Sequence, residues 1–101
     1  MINFIKNLVT PTNPKQFNSD GAAILDVRTK SEYADGHIKG AINIPLNDLK
    51  TSLNLIPDHH KKIITCCASG VRSASAARFL KSKGYTDVTD GGGWKNLKTK
   101  T

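Results

Sequence analysis

Lys62-Ile63-Ile64-Thr65-Cys66-Cys67-Ala68-Ser69-Gly70-Val71-Arg72-Ser73 is the stretch whose reading decides the fold of this chain. Its first four residues, 62–65, are mostly apolar and β-branched, the pattern of a short buried strand. Residues 73–83 are alanine-rich, with Ala76, Ala77 and Leu80 at helical spacing, and Gly84 supplies a stop signal. A strand that ends in a cysteine, passes through small residues and enters a helix places that thiol over unpaired backbone N–H groups. The first turn of a helix also carries the positive end of its dipole, so an anion is stabilised there. A free cysteine titrates near ~8.5, and such surroundings lower that to roughly 3.5–7.5. Cys67 is therefore a candidate nucleophile at the floor of an anion cradle. Ala68, Ser69, Gly70, Val71, Arg72 and Ser73 form its binding loop. The small residues let amides converge, and Arg72 carries a planar fork that either holds an oxyanion or orients the loop. Ser69 and Ser73 have two roles open to them, donation to the sulfur or capping of the helix.

The chain's two cysteines are adjacent, which argues against a disulfide framework and for a reducing, cytoplasmic compartment. Neighbours on a strand face opposite ways, so Cys66 is expected to enter the core and Cys67 to emerge at the strand's end. Cys66 reads as a small buried hydrophobe, with a resolving thiol as the alternative.

Upstream, Gly21-Ala22-Ala23-Ile24-Leu25-Asp26-Val27-Arg28 reads as a second buried strand. Thr29 or Ser31 can cap a short helix through Glu32, Tyr33 and Ala34 that ends at Gly36. A loop and a short strand follow up to Pro45, and a helix is expected over residues 46–55, with Asn47 as its cap. Past the cysteine loop, residues 85–89 read as a late strand, Gly91-Gly92-Gly93 as a loop, and Trp94 and Leu97 as anchors of a last helix. Strands alternating with helices at this pace indicate an α/β sandwich around a mostly parallel sheet. Asp26 and Arg28 lie at a strand's carboxyl end, where open sheets place ligands, so they either line the pocket or form a supporting ion pair. Glu32 is placed to pair with Arg28 across one helical turn. His37 is read as a residue that holds its loop by hydrogen bonds. His59 and His60 lack partners at metal spacing, so neither a metal nor another cofactor is expected.

The 101 residues, 38% hydrophobic and 23% charged, suit one globular domain. Ile2, Phe4, Ile5, Leu8 and Val9 fit an amphipathic helix in an N-terminal arm, residues 1–13, before a domain over residues 14–101. With one basic residue in its apolar stretch, the arm is read as docking on the domain rather than touching a membrane surface. No secretory signal or membrane span is expected. A formal charge of +7 comes from scattered lysines, with no basic stripe interleaved with aromatics, so nucleic acid is not an expected partner.

Several of these runs resemble the rhodanese-like domains. Leu25-Asp26-Val27-Arg28, Glu32-Tyr33 and Gly36-His37-Ile38-Lys39-Gly40-Ala41-Ile42-Asn43-Ile44-Pro45 are similar to one signature of that family. Cys67 to Ser73, with Ala77, Leu80, Gly84-Tyr85, Val88 and the glycine run before Trp94, is similar to the other. The resemblance covers about residues 15–98. It implies a three-layer sandwich with a central five-stranded parallel sheet and helices on both faces. It also implies a thiosulfate sulfurtransferase: the cysteine matching Cys67 takes sulfur from thiosulfate, keeps it as a persulfide and yields it to cyanide, a thiol or a protein. Related phosphatases and arsenate reductases carry a longer loop, and the four residues here between Cys67 and Arg72 resemble the sulfurtransferase form. A sulfur-carrier or redox module and an arsenate reductase or phosphatase-like enzyme are the two alternatives.

Overall fold

A computed structural model of the protein describes Gln16, Phe17 and residues 21–101. The amphipathic arm and the start of the domain inferred from sequence lie outside the described residues. Four strands, β1 (Ala23–Asp26), β2 (Ile42–Asn43), β3 (Ile63–Cys67) and β4 (Val88–Gly93), form one sheet in the order β2-β1-β3-β4, with every neighbouring pair parallel. Helices α1 (Lys30–Ala34), α2 (Leu46–Leu49), α3 (Val71–Ser82) and α4 (Trp94–Thr99) connect and cover it.

Side-chain alternation along the strands divides the interior in two. Leu25, Ile42, Ile63 and Cys67 face a cluster completed by Leu49, Ile56, Ala76, Ala77, Leu80 and Tyr85, under α2 and α3. Cys66 faces the other side with Ile38, Ala41 and Leu97, against which Tyr33, Ile64 and Trp94 pack, under α1 and α4. Helices thus lie on both faces of a parallel sheet, as expected. Among the described residues the sheet has four strands rather than the five implied by the family resemblance, and three of them fall within or beside the runs read as strands from the residues, the fourth being shifted toward the glycines.

Three expectations about local structure are corrected. The helix expected over residues 46–55 is broken into α2 and a 3₁₀ turn, Leu53–Leu55. The amides of Thr51 and Ser52 bond the carbonyls of Asp48 and Leu49, three residues back, and the Thr51 hydroxyl also donates to the Asp48 carbonyl. Such local bonds compete with helix propagation. Pro45, not Asn47, occupies the cap position. The late strand begins at Val88 and runs through the glycines, whereas Tyr85 lies before it and donates its amide to Leu80 of α3. Glycine suits that strand because β4 passes so close to β3: a Cβ on Gly91 would stand 2.7 Å from the Thr65 carbonyl oxygen and 2.8 Å from Ile64 Cγ2.

Candidate active site

Cys67 ends β3, at the carboxyl edge of the sheet, and the chain turns through residues 68–70 into α3. The turn depends on Gly70, whose φ of +106° lies where a side chain would be strained. That conformation aims the Gly70 amide at Cys67 Sγ, 2.9 Å away, and the Ser73 amide donates to the same sulfur at 3.3 Å. The cradle is therefore built from Gly70 and from the first turn of α3, which begins at Val71. The expected exposure of Cys67 is corrected: it is 0% exposed, like Cys66, because α3 packs over the end of β3.

Burial would push the Cys67 thiol up, but it is outweighed by hydrogen bonding from Ser73 and from the amides of Gly70 and Ser69, which hold it below its ordinary value. The neighbouring Cys66 has no such donors. Burial, then the negative charge of Asp26, pushes its thiol up to about 12. Two adjacent thiols thus differ in acidity because one meets a helix start and the other an apolar layer.

Arg72 closes a bidentate pair with Glu32 of α1, Nη1 to Oε1 at 2.7 Å and Nη2 to Oε2 at 3.0 Å. The same carboxylate accepts the Thr29 amide at 2.9 Å, while the Glu32 amide donates to the Thr29 hydroxyl, forming a capping box at the start of α1. Hydrogen bonding by Arg72, then by the Thr29 amide, holds the Glu32 carboxyl down at about 2. The expected pairing of Glu32 with Arg28 is thus corrected: the Glu32 side chain turns to the cysteine loop, and Arg28 bonds only its carbonyl, at 3.2 Å.

Arg28 instead pairs with Asp26, Nη2 to Oδ2 at 2.7 Å, in a pair that is almost fully buried. Its Nη2 also donates to the Gly36 carbonyl at 2.7 Å, and its guanidinium lies 4.7 Å from the centre of the Trp94 ring. Asp26 and Arg28 therefore tie α1 and the following loop to the sheet. Nδ1 of His37 lies 2.7 Å from the Tyr33 carbonyl, and its ring stacks on that of Tyr33 at 3.6 Å. Neither arrangement brings these residues to the sulfur. Among the described residues no cluster of His, Cys, Asp and Glu could hold a metal ion, and no helix is long and apolar enough to cross a membrane.

One residue at the site escaped the sequence reading. Asp90 of β4 accepts the Ser73 hydroxyl at 2.7 Å and the Gly92 amide at 2.9 Å. The only signal for it is a carboxylate immediately before the glycine run, and nothing in that spacing says that β4 lies beside the loop.

Residues 12–100 match the family model of the Rhodanese-like domain. The chain is 36% identical over 74 residues to the thiosulfate sulfurtransferase PspE of Escherichia coli, covering 72% of this chain and 71% of that one. It is 33% identical over 86 residues to the thiosulfate sulfurtransferase GlpE of Pseudomonas fluorescens, covering 83% of this chain and 78% of that one. A solved structure described as rhodanese with anions, from E. coli, superposes with a TM-score of 0.70 at 35% identity, covering 75% of this chain and 91% of that one.

Proposed function

The chain belongs to the rhodanese-like domain family, and from that premise we propose that it is a sulfurtransferase in which Cys67 carries the transferred sulfur. The observation that carries this reading is the convergence of the Gly70 and Ser73 amides on Cys67 Sγ. Donors fixed before the reaction stabilise the attacking thiolate, and again the Cys67 thiolate that leaves when the persulfide gives up its outer sulfur. With thiosulfate as donor, the Cys67 thiolate attacks the outer sulfur; a new S–S bond forms, the S–S bond of thiosulfate breaks, and its electron pair leaves with sulfite. Cyanide, a thiol or a protein thiolate then attacks the outer sulfur of the persulfide and returns Cys67 as thiolate. Proton and charge counts close at each step without a general base, metal or other cofactor. Four residues between Cys67 and Arg72, and an Arg72 fork turned to Glu32, support sulfur transfer over phosphate ester or arsenate chemistry, which needs donors around a tetrahedral oxyanion. The two free thiols support a reducing, cytoplasmic setting.

Intact-mass spectrometry after thiosulfate treatment tests the proposal. The expected result is a gain of one sulfur that cyanide removes and that Cys67→Ser abolishes. No gain with thiosulfate, together with a gain from a protein persulfide donor, would point to a carrier. Turnover of a chromogenic phosphate ester without sulfur loading would overturn the reading.

A further inference from the structure

The chemistry proposed for Cys67 makes no use of Asp90, yet this carboxylate reaches into the cradle. The buried Ser73 hydroxyl has one hydrogen and three acceptors around it. Asp90 Oδ1 is 2.7 Å away and the Gly70 carbonyl 3.0 Å away, and the third, the sulfur of Cys67, lies within the hydroxyl's reach and takes the amide of the same serine at 3.3 Å. The Gly70 carbonyl already receives the Ala74 amide at 3.1 Å. An ionised carboxylate at 2.7 Å is the strongest of the three, since bonds to a charged acceptor are about twice as strong as neutral ones. The other charged groups near the sulfur are engaged elsewhere, Arg72 with Glu32 and Asp26 with Arg28.

We propose that Asp90 is a positioning residue of the sulfur-transfer reaction: its carboxylate holds the Ser73 hydroxyl off the Cys67 sulfur, leaving the thiolate less hydrogen-bonded, and more nucleophilic, than a fully satisfied cradle would make it. This rests on the sulfurtransferase reading. The physical basis is that every donor added to a thiolate makes it easier to form but slower to attack, with a slope of roughly 0.4–0.5 in log rate per pKa unit. Asp90, anchored by the Gly92 amide, sets that balance from β4 by competing for a single hydrogen.

The test is the pH dependence of iodoacetamide alkylation at Cys67, read by mass spectrometry so that Cys66 does not interfere. Asp90→Asn is nearly isosteric and removes the charged acceptor, which lets the hydroxyl turn to the sulfur. The expected result is a fall of about one pH unit in the inflection, the scale of one hydrogen bond to a charged group. About a threefold fall in the limiting rate at high pH should accompany it. In a Ser73→Ala background the same substitution is expected to retain only the through-space effect of the charge, well under half of that shift. Equal shifts in the two backgrounds, or none in either, overturn the proposal. Should Ser73→Ala fail to fold, salt supplies the second measurement. A through-space effect of an exposed carboxylate is screened at 1 M salt, where the Debye length is about 3 Å, and a hydrogen-bonded one is not. A shift lost in 1 M salt therefore also overturns the role given to Asp90. Wild-type protein that neither titrates below the ordinary thiol value nor loads sulfur would sink the sulfurtransferase reading itself. Normal loading with unmoved Asp90 variants sinks only the inference.

Discussion

Replacing Asp26 by Asn strands one charge of a buried pair. Asp26 is 0% exposed and Arg28 4% exposed. The carboxylate accepts the Arg28 amide at 3.0 Å, its Nε at 3.0 Å and its Nη2 at 2.7 Å. Asn has nearly the same volume, so no cavity opens; what is lost is the counter-charge. Breaking one side of a buried pair costs about 3–5 kcal/mol. The amide oxygen keeps one acceptor, and Trp94 still faces the guanidinium, which puts the expectation at the lower end, about 3 kcal/mol. At ~4–8 °C per kcal/mol for a domain of this length, the midpoint should fall by about 12 °C or more. Thermal and urea unfolding followed by circular dichroism measure this. Adding Arg28→Met to Asp26→Asn should recover part of the loss, because no unpaired charge is left inside. Cys67 alkylation in the folded fraction should be unchanged, since Asp26 lies opposite Cys66 in the sheet register and has no bond to the cysteine loop. A midpoint within 2 °C of wild type, combined with lost sulfur transfer, would refute the structural account and put Asp26 in the chemistry.

Cys67→Ser should abolish thiocyanate formation from thiosulfate and cyanide, whereas Cys66→Ala should keep most of it and cost on the order of 1 kcal/mol of packing; equal loss in both would show that the roles are misassigned. Arg72→Lys exchanges a bidentate fork for a single ammonium. The pair with Glu32 is about one-third exposed on both sides, so stability should change by less than ~1 kcal/mol. Because the Arg72 fork is held by Glu32, the thiosulfate KM is expected to change less than about threefold, and a rise of about tenfold, equivalent to ~1.4 kcal/mol, in steady-state kinetics would show that Arg72 leaves Glu32 to hold the substrate. Gly91→Ala forces a methyl against the Thr65 carbonyl, Ile64 and Leu97 Cδ2, all within 2.9 Å of the added carbon. The expected cost in urea unfolding is about 1–3 kcal/mol, and a neutral result would mean that β4 does not pack on β3 as described.

The fold was legible because its strands are β-branched runs and its longest helix has clear periodicity, both local properties. The break after Leu49 was not, since apolar spacing favours a continuous helix while the Thr51-Ser52 bonds that interrupt it leave no mark on that spacing. The glycine run read as a loop because glycine weakens strands in isolation. Only the approach of the β3 backbone gives it a reason to be one.

At the site, local chemistry alone singled out Cys67 and its loop: a thiol between a strand and a helix start, with small residues between them, is an anion cradle wherever it occurs. What the cradle does with its charged neighbours required three dimensions. Glu32 lies 40 residues from Arg72, and Asp90 lies 17 from Ser73, yet each pair meets within 3 Å because parallel strands bring their carboxyl ends to one edge of the sheet. Depth was equally invisible, for alternation says which way a side chain points and not what covers it. The sequence determined which sulfur stands at the turn from strand to helix; the packing of α3 over β3 and the seating of β4 beside the loop decided how deeply it is buried and which hydrogens reach it.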